Sequence, residues 1–157
     1  MATYTIEMAV RHRAADLYAA LRDYERFPGW AEDVAAVAVE GDTSRWAVRF
    51  RGGLIRWTQH DRAEEAADTF RIGFEQTEGD FAAFSGAWTI EPTSTGSLVT
   101  YRADAGTSVA NLARAIEPLV GRVLLRSAVA VVAGAAAGPV EVLAGGRLLD
   151  DQSFAPA

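Results

Sequence analysis

The sequence predicts an α+β domain: seven antiparallel strands wrapped around one long, kinked C-terminal helix, with two short helices after the first strand. Three observations carry this. The middle of the chain alternates apolar and polar residues between closely spaced turn signals, the mark of consecutive hairpins. From Ser108 onward the apolar spacing becomes helical. An antiparallel sheet with one apolar face needs cover, and only this last helix is large enough to supply it.

Residues 3–10, TYTIEMAV, alternate and predict the first strand. Residues 14–23 predict a short helix with Leu17, Tyr18 and Leu21 on one side. Pro28-Gly29 is expected to end a second helical turn. Residues 34–40 predict a strand, and Gly41-Asp42 turns it into the next. Residues 44–62, SRWAVRFRGGLIRWTQHDR, predict two strands joined by Gly52-Gly53, a pair that tolerates the positive φ of a tight turn. With those glycines as the loop, Phe50 faces Ile55, Val48 faces Trp57 and Trp46 faces Gln59. Further strands are predicted over 69–77, 81–91 and 98–105.

Ser108 is placed to cap the long helix, which runs through Val109, Leu112, Ala113, Ile116, Leu119 or Val120, Val123, Leu124 and Ser127 at helical spacing. Pro118 removes a backbone donor and is expected to bend it, with Gly121 suited to the bend or to close packing. One domain is expected over residues 1–138. Residues 139–157 form a C-terminal tail, its apolar residues loosely packed and its end disordered.

Composition narrows the function. The chain has 157 residues and no cysteine, which excludes a disulfide, a thiol nucleophile and a thiolate metal site. All 15 basic residues are arginine, so no side chain offers Schiff-base chemistry. A net charge of −6 argues against a general nucleic-acid binder. The most apolar run, 119–132, is interrupted by Arg122 and Arg126, so no membrane span is expected. The N-terminus has no basic region leading into an apolar one, and a cytoplasmic location is expected. His12 and His60 lie too far apart to suggest a metal site, no G-x-S-x-G marks a nucleophile, and no glycine loop marks a nucleotide. No cofactor is expected. Oligomeric state is left open, a homodimer being one arrangement the sequence allows.

Strand alternation sorts the central hairpin into two faces. Arg45, Arg49, Arg51, Arg56, Thr58 and His60 share the solvent face. Trp46, Val48, Phe50, Ile55, Trp57, Gln59 and Asp61 share the other. Two polar groups on a dry face are either paired structurally or placed against something bound there. The structural alternative for Asp61 is an ion pair with Arg62 or Arg71, or plain solvation.

The element order resembles the START/SRPBCC helix-grip superfamily, which includes polyketide cyclases and aromatases, ring-hydroxylase subunits and carriers of lipids or quinones. Residues 14–34, AADLYAALRDYERFPGWAEDV, match its opening helix and the Asp-x-x-x-(Phe/Trp)-Pro-x-Trp that follows, carried by Asp23, Phe27, Pro28 and Trp30. Residues 79–90, GDFAAFSGAWTI, resemble its sixth strand, with Gly86 and Trp88 in their usual places. Small polyketide cyclases of antibiotic pathways are the subgroup most resembled. The resemblance implies a deep cavity between sheet and helix. Its wall would be Trp46, Val48, Phe50, Ile55, Trp57, Phe70, Ile72, Phe74, Phe84, Trp88, Val99 and Tyr101, with Tyr24, Phe27 and Trp30 as a lid.

A cyclase of that kind holds a reactive poly-β-carbonyl chain in one conformation, polarises a carbonyl and moves a proton. Gln59 suits the donor to a developing oxyanion, and Asp61, in an apolar setting, suits the general acid or base. Tyr101 and Tyr18 are alternative proton donors, each equally at home in a core. The expected function is cofactor-independent cyclisation of a polyketide-derived hydrophobic substrate. The alternatives are a non-enzymatic carrier of a lipid or quinone, and an interaction module built on the arginine face.

Overall fold

The computed structural model describes residues 1–107 and 113–150. Strand β1 (Ala2–Val10) leads into helix α1 (Ala14–Leu21), a 3-10 turn (Tyr24–Arg26) and the short helix α2 (Phe27–Trp30). Six strands follow: β2 (Val34–Glu40), β3 (Thr43–Phe50), β4 (Gly53–Ala66), β5 (Thr69–Gly79), β6 (Phe81–Pro92) and β7 (Ser97–Thr107). Helix α3 (Ala113–Ala136), strand β8 (Glu141–Ala144) and helix α4 (Arg147–Asp150) complete the chain.

The strands form one sheet in the order β2-β3-β4-β5-β6-β7-β1-β8, every neighbouring pair antiparallel. The sheet therefore has eight strands rather than the seven expected. The extra strand comes from the predicted tail: Glu141–Ala144 pairs with the outer edge of β1. Its signal is weak because it is short and flanked by Gly138-Pro139 and Gly145-Gly146. An unpaired sheet edge nevertheless offers main-chain partners to any extended segment that reaches it. Leu148 and Leu149 of α4 pack against the core. The expected disorder of the chain end and the Ser108 cap lie outside the described residues.

Alternation sets the core along the strands. Tyr4, Ile6, Met8 and Val10 are buried along β1, and Phe70, Ile72 and Phe74 along β5. Phe74 sits opposite Gly86 in the β5–β6 register. A Cβ on Gly86 would lie 2.0 Å from the Arg102 carbonyl and 2.7 Å from Phe74 Cζ, so only glycine fits beneath that ring. Helix α1 buries Ala14, Leu17, Tyr18 and Leu21 at helical spacing. Pro28 lies in the first turn of α2 rather than at its end, a position where its missing N–H is not needed.

Helix α3 covers the apolar face of the sheet through Val120, Leu124, Leu125, Ala128, Val131 and Val132. By length and composition it is apolar enough to cross a bilayer, but here that apolar stripe meets the sheet. Pro118 lies within it. Gly121 serves close packing: a Cβ there would sit 2.1 Å from the Tyr4 ring. The Tyr4 hydroxyl donates to the Glu117 carbonyl beside it.

The central hairpin differs from expectation in register. Arg51 and Gly52 form the two-residue loop, at φ 51° and 81°, so Phe50 pairs with Gly53, Val48 with Ile55, Trp46 with Trp57 and Ser44 with Gln59. Both loop residues take positive φ, as a two-residue turn matched to strand twist requires. The difference is an even number of residues, so partners change while every side chain keeps its predicted face.

Candidate functional site

The concave face of the sheet and α3 enclose a cavity of about 60 Å³. The sheet contributes Trp46, Val48, Trp57, Gln59, Asp61, Ile72, Phe74, Phe84, Trp88 and Tyr101. The helix contributes Leu124, Ser127, Ala128 and Val131, the segment leading into β2 contributes Tyr24 and Phe27, and β2 itself contributes Val34. Such a space admits a few water-sized groups, whereas sites for drug-sized ligands hold roughly 300–1,000 Å³. Aromatic side chains fill much of the difference. Trp46 and Trp57 stack 5.9 Å apart with planes 4° from parallel. Phe27 meets Trp46 edge-on at 5.4 Å, and Trp57 meets Phe84 at 5.1 Å. A larger guest requires these rings to part.

The two polar residues singled out on the inner face belong to one hydrogen-bonded chain. Trp57 Nε1 donates to Gln59 Oε1 at 2.7 Å, and Gln59 Nε2 donates to Asp61 Oδ1 at 2.6 Å. From the other strand, Trp46 Nε1 donates to Ser44 Oγ at 2.8 Å, and Ser44 Oγ donates to Asp61 Oδ2 at 2.6 Å. All four donors thus lead to one carboxylate. The spacing follows from the strand period: Ser44 and Trp46, like Trp57, Gln59 and Asp61, are two residues apart and share a face. Gln59 is 4% exposed, and Ser44 is fully buried.

Burial pushes the Asp61 carboxyl above the ordinary carboxylate range, while the Ser44 and Gln59 hydrogen bonds pull it back down. Burial also raises the Tyr101 phenol, and burial together with the Asp61 charge raises that of Tyr24. Neither tyrosine is near ionisation at neutral pH. Each therefore offers a proton donor or a neutral hydroxyl, not a phenolate.

Of the residues singled out in the sequence, Gln59, Asp61, Tyr101, Tyr24, Phe27, Trp46, Val48, Trp57, Ile72, Phe74, Phe84 and Trp88 line the cavity. Five others do not. Phe50 ends β3 beside the loop and packs at the edge of the core. Phe70 stacks on Tyr18 at 4.7 Å, outside the lining. Trp30 lies on α3 where Gly134 leaves room, since a Cβ there would fall 2.2 Å from its Cγ, and the Arg26 guanidinium covers its ring at 4.7 Å. Ile55 and Val99, also placed on the wall, are absent from the lining. Asp61 takes neither of its expected arginine partners; Arg62 and Arg71 border a groove on the opposite face of the sheet.

Ser44 escaped the sequence reading although its position, two before Trp46, carried the signal. The helix residues Leu124, Ser127, Ala128 and Val131 join the lining because α3 crosses this part of the sheet, and Val34 joins it from the start of β2. Among the described residues no three His, Asp or Glu side chains gather as a metal site.

A curved antiparallel sheet closed by a C-terminal helix over an apolar, aromatic-lined cavity defines a START/SRPBCC helix-grip protein. The model of the polyketide cyclase/dehydrase and lipid transport family matches residues 10–131, and the chain belongs to that family. Solved structures agree in fold. A protein from Thermus thermophilus is 20% identical, with 87% of this chain and 95% of that one aligned and a TM-score of 0.73. The Zhui aromatase/cyclase from a Streptomyces species is 18% identical over 85% of this chain and 94% of its own, at a TM-score of 0.71. A STAR-related lipid transfer protein from Xanthomonas axonopodis is 19% identical over 82% of each chain, at a TM-score of 0.68. No curated protein matches the chain by sequence.

Proposed function

We propose that this protein is a cofactor-independent cyclase of a polyketide-derived intermediate. The observation that carries the proposal is Asp61: a carboxyl raised by burial, held by Ser44 and Gln59 at the wall of an aromatic cavity. A base whose pKa is shifted toward the working pH transfers protons more effectively than an ordinary aspartate.

The chemistry is an intramolecular aldol condensation. Asp61 takes a proton from a carbon between two carbonyls, and the enolate carbon attacks a second carbonyl carbon of the same chain. The new alkoxide recovers the proton, and loss of a second α-proton with the hydroxyl releases water. Gln59 Nε2 spends one N–H on Asp61, leaving the other for a developing oxyanion. Stacked indoles supply flat walls for a planar, partly conjugated chain.

Carriage of an apolar molecule is the second reading. It is favoured by the hydrogen bonds that join Gln59 and Ser44 to Asp61 and by a lining that is otherwise mostly apolar. The two separate on Asp61→Asn and Gln59→Ala, assayed with a synthetic poly-β-ketone. A cyclase loses turnover by about tenfold or more, corresponding to about 1.4 kcal/mol of transition-state stabilisation, while still binding. A carrier forms no ring above the uncatalysed rate and keeps its ligand affinity in both variants.

A further inference from the structure

The helix side of the cavity holds a polar group that the proton-transfer machinery does not use. Ser127 lines the cavity from α3, yet its Oγ is buried and has no hydrogen-bond partner. A serine inside a helix ordinarily satisfies its hydroxyl by bonding to the carbonyl one turn back, or by pointing into water. Ser127 does neither. Its neighbours on the lining, Leu124, Ala128 and Val131, are apolar and offer nothing in exchange. The sheet contributes the Gln59–Asp61 pair to the same lining, and that pair's own partners are Trp57 and Ser44. A buried hydroxyl left unpaired is a standing destabilisation that a bound polar atom would relieve.

We propose that Ser127 is a ligand-recognition residue, donating or accepting a hydrogen bond to an oxygen of the guest. The guest class follows: a flat, mostly apolar molecule carrying two oxygens, one for Ser127 on the helix and one for the Gln59–Asp61 pair on the sheet. A hydrocarbon tail leaves Ser127 unpaired and does not fit this description. The inference rests on the cavity being the binding site, as under Proposed function, but not on catalysis.

Three probes of one ring system test it: naphthalene, 2-naphthol and 2,6-dihydroxynaphthalene, titrated against the tryptophan fluorescence of the full chain. The wild type is expected to bind the diol most tightly. Ser127→Ala should weaken the diol by roughly threefold to tenfold, the weight of one hydrogen bond, and leave naphthalene unchanged. The same substitution should raise the melting temperature by roughly 2–4 °C, because it deletes an unsatisfied buried hydroxyl. A merely structural serine would not weaken one probe while stabilising the fold. Equal affinities of the diol for Ser127→Ala and wild type, or equal losses for all three probes, overturn the assignment of Ser127. Failure of every probe to bind the wild type overturns the cavity as a binding site, and Ser127 with it.

Discussion

Trp46 and Trp57 face each other across the β3–β4 ladder, 5.9 Å apart and nearly parallel, and their indole N–H groups lead by separate routes to the same carboxylate. One route passes through Ser44 and the other through Gln59. The stacked pair and the carboxylate are therefore a single unit: moving either ring disturbs a hydrogen bond to one of Asp61's two partners. A guest that parts the rings would alter the surroundings of the acid–base group as it enters.

Ser44→Ala tests that unit. It strands the Trp46 N–H and one Asp61 oxygen in a buried setting, where an unsatisfied group costs about 1–3 kcal/mol. The urea midpoint should fall accordingly, with an unchanged slope against denaturant. Loss of the Ser44 hydrogen bond should also raise the Asp61 carboxyl further, visible in its side-chain NMR titration. An unaltered midpoint would mean that the chain of bonds contributes nothing to stability.

Asp61→Asn tests the titration. The folded Asp61 carboxyl lies above its unfolded value, so between the two the folded state binds the extra proton. The Asp61 contribution is thus most favourable below the ordinary carboxylate range and is lost as pH rises through the raised folded value. Subtracting the asparagine variant's stability profile from the wild type's should leave a downward slope across that window. A difference that rises with pH there would contradict the burial argument.

Gly134→Ala tests the closure over the cavity. Trp30 occupies the space above Gly134, and a nearby ion pair from Asp33 Oδ2 to Arg126 Nε at 2.8 Å ties the start of β2 to α3. The added methyl must displace the indole. Overpacking of this kind costs typically about 1–3 kcal/mol, and the emission of Trp30 should shift as it moves into water. Tyr24 and Phe27, which continue the same segment against Trp46, should loosen with it.

Ala128→Val tests the cavity itself. Ala128 lines it from α3 and is 2% exposed, so two added carbons project into about 60 Å³ of space. Filling an existing void should leave the melting temperature near that of the wild type while reducing 2-naphthol affinity by about tenfold or more. Retained affinity would locate the binding site elsewhere.

Strand alternation, a property of adjacent residues, was legible in the first seven strands. It put Trp57, Gln59, Ile72, Phe74, Trp88 and Tyr101 on the inner face, and the two-residue register difference in the hairpin left those faces intact because the side-chain period is two. The Asp-x-x-x-Phe-Pro-x-Trp stretch and the Gly86–Trp88 strand likewise carried the family resemblance in contiguous residues.

Matters that depend on distant segments meeting were not legible there. Whether Asp61 would find Arg71 or Ser44 was decided by which residues β3 laid against β4. Phe70 and Trp30 have the same chemistry as the lining aromatics, yet Tyr18 claimed one and Gly134 the other. Ser127 became a buried, unpaired hydroxyl only when α3 came down across the sheet. Periodicity assigns a side chain to a face; packing between elements far apart in the chain assigns its partner and the space left beside it.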